Sequence, residues 1–369
     1  MQILNKKTTL AIHGIAILMM IYHHLFINGN IWYVTEGKSL FDIFNSLNFV
    51  NSASAQLTFA YFCKICVAIF AFTSGYAIYL QLSKRCVHDN DEANTKEMIG
   101  YCGHRFLSFY KKYLIAFLFF VGCEYFFKNP NGFDFSLTNY LLNLLGLRAT
   151  YNGTWWYVSV YYVMIIASPF IYLLLNKLKN KDYLLLIGLF IISFLAAFVS
   201  GNTTAFLKFI SKFIQNYFTI YLLIFAEGMF SAKYNLIDKI GNKLNLLTST
   251  ALLIVTFLLR AMLIRDASDP LFDLILIIPF IISVAKILSY FDGLNNCLAF
   301  FGKYSAYMWY AHAYFYAYLF FVLVIKSNLS LIVYAQVVIY SLACGIVFTQ
   351  IETLIDKGLK KLKAAKKTA

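Results

Sequence analysis

The chain reads as a series of long apolar runs divided by short polar gaps. Ten runs reach spanning length, at 8–27, 57–82, 106–127, 155–175, 182–200, 215–231, 245–264, 271–290, 304–325 and 329–352. A bilayer core takes roughly 20 apolar residues of helix, and a helix satisfies its own backbone polar groups there. The pattern therefore predicts an all-α fold: a polytopic integral membrane protein of about ten transmembrane helices, forming a single membrane domain over residues 1–369. The longest gaps, 28–56, 83–105 and 128–154, leave no room for a soluble domain. The ninth and tenth runs are parted only by Lys326-Ser327-Asn328. The run after Lys6 and Lys7 is long for a cleavable signal and lacks a small-x-small site after it, so it reads as a permanent first helix.

Composition strengthens this picture. Apolar residues make up 61% of the chain and charged residues only 13%, about half the charged share of a soluble domain. A net charge of +14 invites a nucleic-acid partner. The cations instead occupy the gaps between runs, with no basic face on a soluble domain, so none is expected. If the N-terminus is cytoplasmic, 22 Lys and Arg fall on inside segments. Seven fall outside: Lys38, Lys128, Arg148, Lys208, Lys212, Arg265 and Lys326. That asymmetry predicts a multi-pass plasma-membrane protein with both termini cytoplasmic. The lysine-rich tail from Lys357 reads as a solvated end near anionic lipid. Cys63 and Cys66 have a redox or metal-like spacing, but no second pair or nearby His completes it, and no metal is expected.

Ionisable side chains within a bilayer are costly and mark function. Among those within the runs are His13, His23, His24, Lys64, Glu124, Glu227, Arg260 and His312. His13 and His24 stand eleven residues apart, close to three helical turns, so both point to one side of the first helix at depths differing by about 16 Å. Such a pair suits a site fed from one side of the membrane and emptied on the other. The plainer alternative is that each imidazole bonds a neighbouring carbonyl. His23 points elsewhere. Arg105, Lys111 and Lys112 open the third helix at the inner face, where three cations can hold a phosphorylated ligand or simply obey the charge rule. Trp155 and Trp156 open the fourth helix where an aromatic belt is expected regardless. Ser74-Gly75-Tyr76 lets helices approach closely.

Five stretches taken together resemble the acyltransferase-3 family of integral membrane acyltransferases. They are His13-Gly14-Ile15-Ala16-Ile17-Leu18 through His23-His24, Lys64 through Ser74-Gly75-Tyr76, Arg105 through Leu114, Gly153-Thr154-Trp155-Trp156-Tyr157-Val158, and Ser305 through His312. The resemblance implies that His24 matches the family's essential His, and that His13 stands where the family usually has Arg or Lys. It implies acyl transfer, usually of acetyl, from cytoplasmic acetyl-CoA to hydroxyls of an extracytoplasmic surface polysaccharide or lipid-linked glycan. On that reading Arg105, Lys111 and Lys112 face the donor. His24 is the base or a transient acyl carrier, and His13 is its partner. Glu124, His312, Trp155 and Trp156 belong to the acceptor side. A transporter or flippase for a glycan or small solute, with the buried charges as its path, is the rival expectation, and a non-enzymatic scaffold a third. The lack of an internal repeat weighs against transport.

Overall fold

The computed structural model describes residues 2–27, 52–86, 95–200, 216–263, 271–325 and 329–368. The cations Lys38, Lys208, Lys212, Arg265 and Lys326 of the charge count lie outside the described residues. Within them the chain is a helical bundle. Its helices are α1 (Lys6–Phe26), α2 (Ser52–Cys63), α3 (Cys66–Cys86), α4 (Thr95–Phe126), α5 (Leu137–Leu144), α6 (Tyr157–Lys177), α7 (Tyr183–Ser200), α8 (Asn216–Tyr234), α9 (Leu236–Gly241), α10 (Leu246–Leu263), α11 (Asp273–Leu288), α12 (Asp292–Tyr316) and α13 (Ser330–Thr368). The apolar runs fall on the long helices or on the α2–α3 pair, except that the run 304–325 leaves α12 at Tyr316 and ends on the 3-10 turn Leu319–Leu323. Among the described residues, five segments are long and apolar enough to cross a bilayer by length and composition: Lys6–Phe26, Gln56–Arg85, Thr95–Phe126, Gly153–Lys177 and Ser330–Leu362. The protein is an all-α, polytopic integral membrane protein.

Three departures from the sequence pattern matter for the site. The run 57–82 is not one helix: it breaks at Lys64 and Ile65, whose N–H groups turn back to the Tyr61 and Phe62 carbonyls at 3.2 Å. Arg260 caps those same two carbonyls, reaching Phe62 at 2.9 Å, and is held bidentate by Asp273 at 2.7 and 3.1 Å. Both side chains are fully buried. Carbonyls freed by a break cannot reach water inside a bundle, so an internal donor must meet them. Cys63 and Cys66 flank this break, both buried.

The gap 128–154 also folds. Its helix α5 turns back into the bundle rather than staying at the rim. Tyr113 donates to the Asn143 carbonyl (2.5 Å) and Tyr110 to that of Leu144 (3.3 Å). Tyr113 precedes Phe126 by 13 residues of α4, so the end of α5 lies about 20 Å back from that end of α4. Asn143 and Thr150 pin the segment by exchanging side-chain and backbone bonds. At its start, Asp134 accepts from the Ser136 N–H and hydroxyl, which hold its carboxyl below the usual carboxylate range.

The third departure is at helix ends. α4 starts at Thr95 and α12 at Asp292, about three turns before the apolar runs they carry, and α13 continues through the lysine-rich tail to Thr368. The apolar pattern marks only the stretch inside the bilayer, and a helix does not stop where its polar face becomes complete.

The bundle's tightest seam joins α1 to α12. A Cβ on Gly302 would sit 1.7 Å from the Leu10 oxygen, and one on Gly14 would sit 2.0 Å from that of Leu298. No other residue type allows this backbone contact. A second seam of the same kind joins Gly75 of α3 to Phe225 of α8, as the small residues at 74–76 lead one to expect.

Candidate functional site

Because Gly14 and Gly302 lock α1 against α12, residues ten positions further along each helix are also neighbours. That brings His24 to His312, with rings 5.0 Å apart and Nε2 of His312 3.0 Å from Nδ1 of His24. The tautomers follow from their partners. Nδ1 of His312 lies 2.6 Å from the Trp309 carbonyl, which can only accept, so it carries the proton. In the neutral ring Nε2 is then the acceptor, and His24 donates to it through Nδ1–H. This leaves the Nε2 lone pair of His24 free to accept a proton.

His13 is fixed in the complementary way. Its Nε2 lies 2.8 Å from Thr73 Oγ1. That hydroxyl spends its own proton on the Ile69 carbonyl at 2.7 Å, so it accepts from His13. His23 donates from Nδ1 to the Ala60 carbonyl at 2.8 Å and ties α1 to α2.

All three α1 histidines line one cavity of about 1600 Å³, together with Lys64, Arg105, Trp155, Trp156 and Trp309. Since His13 and His24 are eleven residues apart on one helix, the cavity follows the bundle axis for at least about 16 Å. Near His13 it reaches Arg105, whose Nε donates to the Tyr161 hydroxyl at 3.1 Å. Near His24 its wall is the turn Gly153–Trp156, latched to α12 by two reciprocal bonds. Trp155 Nε1 donates to the Tyr310 carbonyl and Trp309 Nε1 to that of Thr154, each at 3.1 Å.

The expected site residues are not all in one place. His13, His24, Arg105, Lys112, Trp155 and Trp156 line the cavity, as does His23, which the helical phase sets to one side. His312 stands behind His24, fully buried. Lys111 pairs instead with Asp356 (2.6 Å) and Glu352 (3.1 Å) of α13, and Lys112 bonds Glu352 at 2.5 Å. Glu124 is buried away from the cavity, where it accepts from Asn131 at 2.6 Å and secures the turn after α4. Sequence reasoning did not find Thr73, Tyr161, Trp309 or Asp273. Trp309 alone carried a local signal, one turn before His312.

Comparison with characterised proteins and with solved structures gives no match. A family model described as an acyltransferase domain matches residues 11–350. That span holds His13, His24 and His312, the cavity between them, and nearly all of the bundle. The chain thus belongs to this acyltransferase family and is a membrane acyltransferase.

Proposed function

We propose that the protein moves an acetyl group from cytoplasmic acetyl-CoA to a hydroxyl of a polysaccharide or lipid-linked glycan on the other side of the membrane. The observation that carries this reading is the cavity that joins Arg105 and His13 to His24, whose Nδ1 is engaged by His312 and whose Nε2 keeps its lone pair. An acyl group and its acceptor can meet in such a space without either crossing the bilayer whole. Arg105, with Lys112, supplies positive charge on the donor side, suited to the phosphates of CoA.

In the reaction, His24 Nε2 takes the proton of the acceptor hydroxyl as that oxygen attacks the thioester carbonyl. The tetrahedral intermediate collapses with cleavage of the C–S bond. The departing thiolate receives the proton back from His24, giving CoA–SH and an ester. His312 accepts the Nδ1–H of His24 and holds the tautomer that this step needs. The indole walls of Trp155 and Trp156 suit the apolar face of a sugar ring.

The test is acceptor-dependent release of CoA from acetyl-CoA by the purified protein, with mass analysis of the acceptor. A gain of one acetyl on the acceptor supports the reading. Movement of acceptor across vesicles without CoA release would support the transporter instead.

A further inference from the structure

Attack on a thioester creates a charge that His24 does not meet. As the hydroxyl oxygen bonds to the thioester carbon, its proton goes to His24 Nε2 and the carbonyl electron pair moves onto oxygen. That oxyanion persists until the C–S bond breaks, and it needs a fixed donor or cation. The lysines and arginines of the cavity wall are Lys64, Arg105, Lys112 and Arg148. Lys112 is bonded to Glu352 at 2.5 Å and Arg148 to Asn139 at 3.2 Å. Arg105 acts electrostatically on His13, whereas Lys64 acts on His23 and His24.

Contacts between α1 and the α2–α3 pair set the place of Lys64. His23 bonds the Ala60 carbonyl and His13 bonds Thr73, so α1 runs antiparallel to the pair and Lys64 falls between the two contacts. It stands four residues beyond Ala60, about one turn on, and so on the side of α2 that meets α1. The helix break held by Arg260 is at this point. Beyond it, Val67 and Ile69 give their N–H groups to the Lys64 and Ile65 carbonyls at 3.3 and 3.0 Å. Among the described residues, no backbone carbonyl meets the N–H of Cys66, the first residue of α3, which also lines the cavity. An N–H at that position points back along the helix axis, here toward Lys64, from the end of a helix that favours an anion. The break therefore puts a cation and an unspent N–H at one point of the wall, which a continuous helix could not do. We propose that Lys64 is a catalytic residue, whose ammonium stabilises the tetrahedral oxyanion beside His24 with the Cys66 N–H in support. This rests on the acyl-transfer reading and supplies the group that answers its developing charge.

The test is steady-state CoA release by full-length protein in detergent, with acetyl-CoA as donor and surface polysaccharide from a deletion strain as acceptor. Lys64→Met should lower kcat by about 10²–10³-fold, the usual effect of losing one oxyanion donor. The KM for either substrate should change little, because the interaction forms only in the transition state. Lys64→Arg keeps the charge and should retain at least about tenfold more activity than Lys64→Met. Thermal unfolding establishes that the compared proteins are folded, and Lys64→Gln replaces Lys64→Met if that variant is not. A pH profile excludes a merely repulsive role. If Lys64 only kept His24 neutral, its removal would raise the pH at which His24 loses its proton, and the rate would return at higher pH. Under the proposal the loss persists on the alkaline plateau. Wild-type kcat in Lys64→Met, recovery at high pH, or a raised KM for the polysaccharide at unchanged kcat overturns the assignment. No CoA release by the wild-type protein overturns the acyl-transfer reading itself, and the assignment with it.

Discussion

Nε2 of His312 lies 3.0 Å from Nδ1 of His24, across 288 residues of sequence. His312 is fully buried, and its other nitrogen is spent on the Trp309 carbonyl. The pair has the form of a base and its orienting acceptor, which fixes one tautomer of the base.

That relationship predicts an ordered series. His24→Ala should lower acetyl transfer by about 10²–10⁴, the usual contribution of a positioned base. His312→Gln keeps a carbonyl oxygen that can accept from His24 and should retain more activity than His312→Leu. Initial rates under saturating donor decide it. Equal loss in Gln and Leu would mean that His312 contributes bulk rather than an acceptor.

The donor side makes a separate prediction. Arg105 faces the cavity beside Tyr161, whereas Lys111 is paired to Asp356 and Glu352 of α13. Arg105→Ala should raise the KM for acetyl-CoA with little change in that for the acceptor. Lys111→Ala should act mainly on stability, and weakly, because half-exposed pairs contribute only about 0–1 kcal/mol. Steady-state kinetics with each substrate varied in turn separates the two. An unchanged KM for acetyl-CoA in Arg105→Ala removes it from the donor site.

The buried pair Arg260–Asp273 should behave unlike the surface pairs. Removing one partner leaves the other charged and uncompensated, a cost of about 3–5 kcal/mol. Arg260→Met also uncaps the Tyr61 and Phe62 carbonyls at the helix break. Thermal unfolding in detergent should show a large loss for Arg260→Met and for Asp273→Leu. In the double variant the loss should be less than additive. Additive losses would mean that the two residues act independently.

The seam of α1 and α12 can be tested with one methyl group. Gly302→Ala pushes a carbon into the Leu10 backbone, whereas Gly293→Ala, on the same helix, meets nothing within 4 Å. Overpacking of this kind costs about 1–3 kcal/mol. Separation of the helices should also part His24 from His312, so activity should fall further than stability. Wild-type rates in Gly302→Ala would show that the dyad does not depend on this contact.

These cases mark what could be read in the sequence. Hydrophobic period and charge placement reveal the helical spans because the bilayer acts on every residue of a run alike. They also put His13 and His24 on one face, a matter of local geometry alone. The break at Lys64 was not legible, since its cause is Arg260, almost two hundred positions away. The inward turn of α5 was equally hidden. Its segment carries the Asn, Thr and Gly of a surface loop, yet those polar groups satisfy one another inside the bundle. Glu124 looked like a site residue because burial of charge marks function and structural pairing alike, and Lys111 because a cation at an inner helix mouth suits a phosphate as well as a pairing carboxylate; only contacts separate the two.

The last prediction concerns His13, which the resemblance sets at a position where a cation is expected. In this chain its Nε2–H donates to Thr73, whose hydroxyl is already turned to the Ile69 carbonyl and can only accept. The position therefore supplies a donor toward α3 at the level of Arg105. Lysine can supply the same donor, and phenylalanine cannot. His13→Lys should keep acetyl transfer within about tenfold of wild type, that is within about 1.4 kcal/mol of barrier. His13→Phe should lose much more, though it preserves the packing against Phe70. Thr73→Val, which removes the acceptor, should resemble His13→Phe. If His13→Lys is as inactive as His13→Phe, the free Nδ1 of His13 is the nitrogen that matters. The ring would then serve as an acceptor to substrate rather than as a stand-in for the family's cation.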